Sequence, residues 1–192
     1  MIVNFLHYSE IGCTTCILIL SVFNLVIMVN YKTRYLSTLN ITILGAYYPE
    51  KSKNRLIKLR NYLQENGFSN TRLVDEIHYP LSMNILIDEQ DKKNVLNSHY
   101  AIQSSNALIF VFGLSDKSCG HYQELQYFYD NLYAQLINTT LFLIEKDTMR
   151  NLSSLIRGYI KSNKNSPGTY YYKTFKELCE YSKYQLLSMF TK

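Results

Sequence analysis

The segment SDKSCGHYQEL, residues 115–125, carries the residue types and spacing in this sequence that best suit chemistry. It places Ser118, Gly120 and Glu124 between the apolar run ALIFVFG and a stretch with helical apolar spacing. Backbone N–H groups and the helix dipole favour a carboxylate in the first turns of a helix, and we expect them to keep Glu124 ionised. An ionised carboxylate beside an anion-binding turn suits a nucleophile that attacks a sugar carbon. The alternative is an acid that only stabilises the start of its helix.

The elements that would position this segment alternate between strands and helices from residue 40 onward. The predicted strands are NITILGAYY, TRLVDEI, ALIFVFG, TTLFLIE and GTYYYKTF. The predicted helices are KSKNRLIKLRNYLQENG, the stretch with Val95, His99 and Ile102, the stretch from Leu125 to Leu136, NLSSLIRGYIK and FKELCEYSKYQLLSMF. The segment PLSMNILIDEQDKK remains either a loop or a short helix.

This alternation predicts an α/β fold, a flavodoxin- or Rossmann-like three-layer sandwich with a five-stranded parallel sheet. Ligands of such sheets bind outside the carboxyl ends of the strands. That rule marks three loops as candidate binding segments: residues 45–53, residues 114–121 and the stretch after Ile144.

Composition limits the classes of protein. With 192 residues, 47% hydrophobic and 18% charged, the chain is long and apolar enough for one domain with a core. The net charge of +5 is spread along the chain, which argues against a nucleic-acid polymer as partner. Four cysteines, at positions 13, 16, 119 and 179, include only one close pair, so we predict no metal site and a reducing compartment. We also predict no cofactor.

Residues 1–37 form a separate segment before the predicted domain, 38–192. Residues 11–31, IGCTTCILILSVFNLVIMVNY, contain no charged side chain, and a helix of this length spans a bilayer. Three interpretations stay open: a membrane anchor, a secretory signal, or a true start at Met28. With an anchor, the basic residues that follow favour a cytoplasmic domain.

The motif around Glu124 resembles that of the nucleoside 2-deoxyribosyltransferase superfamily, whose acidic nucleophile stands in the pattern D/S-x-G-x-x-x-E-L. The segment SCGHYQEL matches it at Ser118, Gly120, Glu124 and Leu125. The chain is most similar to the Rcl-type branch, which hydrolyses 2′-deoxynucleoside 5′-monophosphates and has an L-S-x-x-I-R-G segment. Residues 152–158, LSSLIRG, match that segment, and the resemblance covers residues 40–190.

The resemblance implies that Glu124 attacks C1′ of a nucleotide through a covalent intermediate. It implies that Ser118 holds the 5′-phosphate, together with Ser153 from the partner subunit of a homodimer, and that Gly120 also belongs to the substrate-binding site.

The resemblance also places Gly45, Ala46 and Tyr48 in a substrate-binding loop, where the family has Gly-Ser followed by an arginine. Lys51, Lys53 and Arg55 follow this loop, but none stands at the arginine's position.

A second acidic residue of the family aligns with Ser98, which we assign to the catalytic site, and Asp91 lies two helical turns upstream. Two other functions remain open. One is a TIR-like domain that cleaves NAD, because that family also has a glutamate at a helix start after a loop with serine and cysteine. The other is a nucleotide-binding or signalling module without catalysis.

Overall fold

Five strands form one parallel sheet in the computed structural model, which describes residues 34–78, 90–116, 120–162 and 168–191. The strands are β1 (Ile41–Gly45), β2 (Thr71–Leu73), β3 (Ala107–Phe112), β4 (Thr140–Glu145) and β5 (Thr169–Tyr172). The helices are α1 (Glu50–Glu65), α2 (Gln90–Gln103), α3 (Gly120–Asn131), α4 (Tyr133–Leu136), α5 (Ser154–Ser162) and α6 (Phe175–Phe190), and residues 34–38 are also helical.

The strand order is β2-β1-β3-β4-β5, with every pair parallel. This is the flavodoxin-like order, so the predicted fold class is confirmed. The sheet lies within a compact unit, Ser37–Lys192.

Helices cover both faces of the sheet. On one face, α1 and α6 pack together, and each presents an apolar stripe that is fully or almost fully buried. On the other face, α2, α3 and α5 pack over large side chains of the central strands, including Phe110, Phe112 and Phe142. Because β3 and β4 are covered on both faces, they are continuous apolar runs, as parallel strands in such sheets usually are.

Two predicted elements are shorter in the structure. The strand predicted over TRLVDEI ends at Leu73, and Val74–Glu76 form a 3-10 turn in which the Glu76 carboxylate accepts the Leu73 N–H at 2.9 Å. The helix predicted from Leu125 to Leu136 divides into α3 and α4, because Leu132 adopts a non-helical backbone conformation.

The helix predicted over residues 51–67 is present as α1 (Glu50–Glu65), which ends before Gly67. Gly67 has a φ of +95°, the left-handed conformation that glycine adopts with little strain after a helix.

No helix among the described residues is both long and apolar enough to span a bilayer. Residues 11–31, the candidate membrane anchor, lie outside the described part of the chain, as do Ser118 and most of PLSMNILIDEQDKK.

Candidate functional site

A cavity of about 570 Å³ opens at the carboxyl ends of β1 and β2, beside the helix that follows β3. The chain leaves β1 toward β2 on one side and later returns to β3 on the other, so the crossovers diverge here, and this is where sheets of this order bind ligands. The cavity is lined by residues from four segments, among them Gly45, Tyr47, Asp75, Ser98 and Glu124.

Glu124 lies in α3 and is only 9% exposed. Its Oε1 accepts a hydrogen bond of 3.2 Å from the Ser98 hydroxyl of α2. Its Oε2 is buried and has no hydrogen-bond partner among the described residues. Burying a carboxyl oxygen without a partner lowers the stability of the fold, so packing alone does not explain why an acidic residue stands here.

The ionisation of Glu124 differs from the expectation drawn from the helix dipole. Burial raises the pKa of its carboxyl from 4.5 to about 7, and the hydrogen bond from Ser98 lowers it only in part. The dipole acts mainly within the first turn, and α3 begins at Gly120, so desolvation outweighs it. The expectation that the carboxyl is fully ionised was therefore wrong: near pH 7 both forms are populated.

Both forms of such a carboxyl can do chemistry. The ionised form is a nucleophile or a general base, and the protonated form is a general acid. A carboxyl with a pKa near the working pH can do either, and the two roles give opposite dependence on pH.

Ser98 lines the same cavity as Glu124 and donates to it. A hydroxyl at this position cannot replace the acidity of a carboxyl, but it orients one oxygen of Glu124 and favours its charged form. The side chain of Asp91 lies outside the described residues.

The residues expected in the first loop have different surroundings. Gly45 lines the cavity, and a Cβ at this position would lie 2.9 Å from Leu56 Cδ2 and 3.0 Å from the Val111 carbonyl oxygen. The side chain of Ala46 is completely buried, and Tyr48 is 64% exposed.

The remaining described residues of the expected site lie at the starts of the helices after β3 and β4. Gly120 is the first residue of α3, and the side chain of its neighbour His121 is outside the described residues. Ser153 is exposed and stands just before α5, where its Oγ accepts the Ile156 N–H at 3.4 Å. In the single chain, Ser153 therefore caps a helix.

Two of the cations after β1 are held by carboxylates. Arg55 donates to Asp116 Oδ1 at 2.7 Å and to Glu145 Oε2 at 3.2 Å, and its side chain is 13% exposed. Lys53 Nζ lies 3.6 Å from Asp75 Oδ2. Both terminal nitrogens of the Arg55 guanidinium are therefore engaged by carboxylates of the protein itself.

Sequence reasoning missed the pair formed by Tyr47 and Asp75 on the cavity wall. The Tyr47 hydroxyl donates to Asp75 Oδ1 at 3.2 Å. Burial, followed by the Asp75 charge, raises the pKa of Tyr47 well above its usual range, so the phenol stays protonated. Asp75 comes two residues after β2 ends, and the rule about strand ends, applied to β2 as well, would have found it.

His99 and Lys93 of α2 also line the cavity. The His99 ring stacks on Tyr127 at 3.6 Å between centroids, and burial lowers the pKa of the imidazole, which favours its neutral form at pH 7. Among the described residues, Lys93 is the only lysine or arginine in the cavity lining. The described parts of the chain contain no cluster of histidine, cysteine, aspartate and glutamate suited to a metal ion.

Comparison with known proteins finds a weak structural similarity and no match by sequence. No protein-family model matches the sequence. No curated protein matches it either. Among solved structures, the chain is similar to the CMP N-glycosidase BcmB of Clostridium botulinum, at 18% identity and a TM-score of 0.46, over 74% of this chain and 98% of that chain. A similarity this low carries no argument about function, which must come from the cavity itself.

Proposed function

We propose that this protein is an N-glycosidase that cleaves the bond between base and sugar in a nucleoside or nucleoside 5′-monophosphate. Glu124 is the nucleophile, and a glycosyl ester of its carboxyl is the intermediate. The observation that supports this most is the position of Glu124: buried at the edge of a 570 Å³ cavity, oriented by Ser98, with Oε2 unpaired among the described residues.

The proposed reaction needs few groups. The Glu124 carboxylate forms a bond to C1′ while the bond from C1′ to the base nitrogen breaks, and the bonding electrons leave with the base. The departing base takes a proton from a water molecule. The hydroxide formed cleaves the glycosyl ester and frees the carboxylate, so one water is consumed for each base released.

The size of the cavity supports a substrate of this class, because ligand pockets of about 300 to 1,000 Å³ hold molecules of nucleotide size. Asp75, Tyr47 and His99 supply polar groups around its wall. Such groups suit the hydroxyls of a sugar and the edge of a base. Ser118 and Lys93 are the proposed contacts to a 5′-phosphate, since each can donate to a phosphate oxygen.

The deciding experiment incubates the purified protein with nucleosides, ribonucleotides, deoxynucleotides and NAD, and measures free base by chromatography. Glu124→Ala should lower base release by at least about a thousandfold, since it removes the group that forms the intermediate. Gln126→Ala, an exposed position on the same helix, is the matched control and should leave the rate unchanged. If the wild-type protein releases base from none of these compounds, the binding module without catalysis replaces this proposal.

The homodimer and the role of Ser153 belong to the same proposal, on the strength of the LSSLIRG segment. Glu124→Ala and Ser153→Ala proteins should each be impaired alone. When the two are mixed and exchange subunits, half of the dimers contain one subunit of each kind, and each such dimer has one site with both Glu124 and Ser153 intact. The mixture should therefore regain about a quarter of the wild-type activity. A mixture that is no more active than its parts would show that Ser153 serves its own chain or has no role.

A further inference from the structure

A second cavity, of about 620 Å³, lies at the carboxyl ends of β4 and β5, and none of the described residues lines both cavities. We call it the basic cleft and define it by Lys51, Arg55, Lys58, Glu145, Lys173 and Phe175. One wall is α1, and the other is the end of β5 and the start of α6.

Positive charge in the basic cleft is not balanced by carboxylates of the described residues. Lys51, Arg55 and Lys58 follow one another at spacings of four and three residues, so they share one face of α1. Arg55 is neutralised by Asp116 and Glu145. The ammonium groups of Lys51, Lys58 and Lys173 have no hydrogen bond or ion pair among the described residues.

The dipole of α6 does not explain the cleft. Thr174 accepts the Glu177 N–H at 3.2 Å, and Glu177 Oε2 accepts the Lys173 N–H at 2.7 Å, so the protein's own side chains already cap this helix start. Any attraction for an anion must therefore come from the lysine side chains.

The two cavities differ in charge. Among the described residues, the candidate active site is lined by the carboxyls of Asp75 and Glu124, by one lysine, Lys93, and by two histidines. The basic cleft is lined by three lysines, one arginine and one carboxylate. A ligand with several negative charges is attracted to the basic cleft more strongly than to the candidate active site.

We propose that the basic cleft is a binding site for a small molecule with two or more phosphate charges. Lys51, Lys58 and Lys173 contact phosphate oxygens as mobile point charges, which is how lysine usually binds phosphate. Phe175, 39% exposed, offers an apolar surface beside them for the rest of the ligand. The volume suits a nucleotide-sized molecule.

The test measures binding of inorganic pyrophosphate and inorganic phosphate by calorimetry at fixed ionic strength. Three proteins are compared: the wild type, the cleft variant K51A/K58A/K173A, and the control K146A/K161A/K176A, which loses the same charge from exposed positions outside the cleft lining. Matching circular dichroism spectra establish that all three are folded.

We expect the wild type to bind pyrophosphate more tightly than phosphate, since the cleft holds several cations. The cleft variant should lose at least about tenfold in affinity, and the control less than about twofold. Equal losses in both triple variants, or no binding by the wild type at millimolar pyrophosphate, would overturn the proposal.

One further variant separates this site from the proposed active site. Glu124→Ala protein should bind pyrophosphate as the wild type does, whether or not the protein cleaves nucleotides. If Glu124→Ala changes pyrophosphate affinity severalfold, the ligand occupies the first cavity and the basic cleft is not its site.

Discussion

At the scale of single residues, the ionisation of Glu124 is governed by burial. Ser98 offers one hydrogen bond that favours the charged form, but the loss of hydration has the larger effect and raises the pKa to about 7. A nucleophilic carboxylate with this pKa is more basic than an exposed one, and part of it is protonated at neutral pH. Both properties are open to measurement.

The first prediction concerns activity and pH. If the Glu124 carboxylate is the nucleophile, kcat/KM for base release should rise about tenfold per pH unit below pH 7 and level off above it. A nucleoside is the right substrate, because it has no phosphate that titrates in this range. A rate that falls as pH rises through 7 would instead assign Glu124 the role of general acid.

The second prediction concerns stability and pH. Because the native pKa of about 7 lies above the usual 4.5, native protein holds a proton between these values that unfolded protein has released. Stability must then fall as pH rises through this window, by about 3 kcal/mol as an upper bound. Glu124→Gln lacks this titration. The free energy of unfolding of this variant minus that of the wild type, both measured in urea, should increase from pH 4.5 to pH 8. If the two free energies change with pH in the same way, the burial of the charge is contradicted.

At the scale of elements, Arg55 joins three parts of the fold. It connects α1 to Asp116, in the turn after β3, and to Glu145, at the end of β4. Asp116 also accepts the Ser52 hydroxyl and the Gly113 N–H, each at 2.6 Å. This network fixes the chain immediately before the loop that leads to Glu124.

The third prediction is that Arg55→Met destabilises the protein by about 3 kcal/mol, because Asp116 is left as a buried charge without a cation. Lys58→Met, on the same face of α1 but exposed, is the control and should change stability by less than about 0.5 kcal/mol. Chemical denaturation measures both. If Arg55→Met were as stable as the wild type, the hydrogen bonds from Ser52 and Gly113 would suffice to hold the Asp116 carboxylate.

The sequence predicted some elements and site residues better than others, for physical reasons. β3 and β4 are buried on both faces, so their sequences are continuous apolar runs that are easy to recognise. β2 has three residues, of which Arg72 is exposed, and its end cannot be distinguished from the turn that follows. Glu124 could be predicted as a site residue because its motif is a short continuous segment of the sequence.

Contacts between distant segments could not be predicted from the sequence in the same way. Tyr47 and Asp75 are 28 residues apart, and Arg55 and Asp116 are 61 apart. Neither pair has a local pattern, since only the folded sheet brings the two partners together. For the same reason, the sequence does not show that Arg55, one of the cations after the first loop, is held by two carboxylates.

At the scale of the whole molecule, the sheet and its helices lie within one compact unit, Ser37–Lys192. A unit of this size buries enough apolar surface to be stable by itself. The fourth prediction is that a fragment of residues 37–192 unfolds in one cooperative transition, at a temperature close to that of the full chain. Calorimetry measures this, and a fragment without a transition would show that residues 1–36 are required.

The same pair of proteins tests the membrane interpretation of residues 11–31. If those residues anchor the protein, the full chain should sediment with membranes and resist carbonate extraction, and the fragment should not. Equal distribution of the two proteins would remove the anchor from consideration.

The lengths of the outermost strands have a consequence for aggregation. β2 has three residues and β5 has four, so each sheet edge offers few unpaired N–H and C=O groups to another chain. The charge of Arg72 on one edge and of Lys173 just beyond the other adds to this protection. The sheet is therefore a poor template for strand addition, and copies of this protein should associate through helix surfaces rather than by extending one sheet into a fibril.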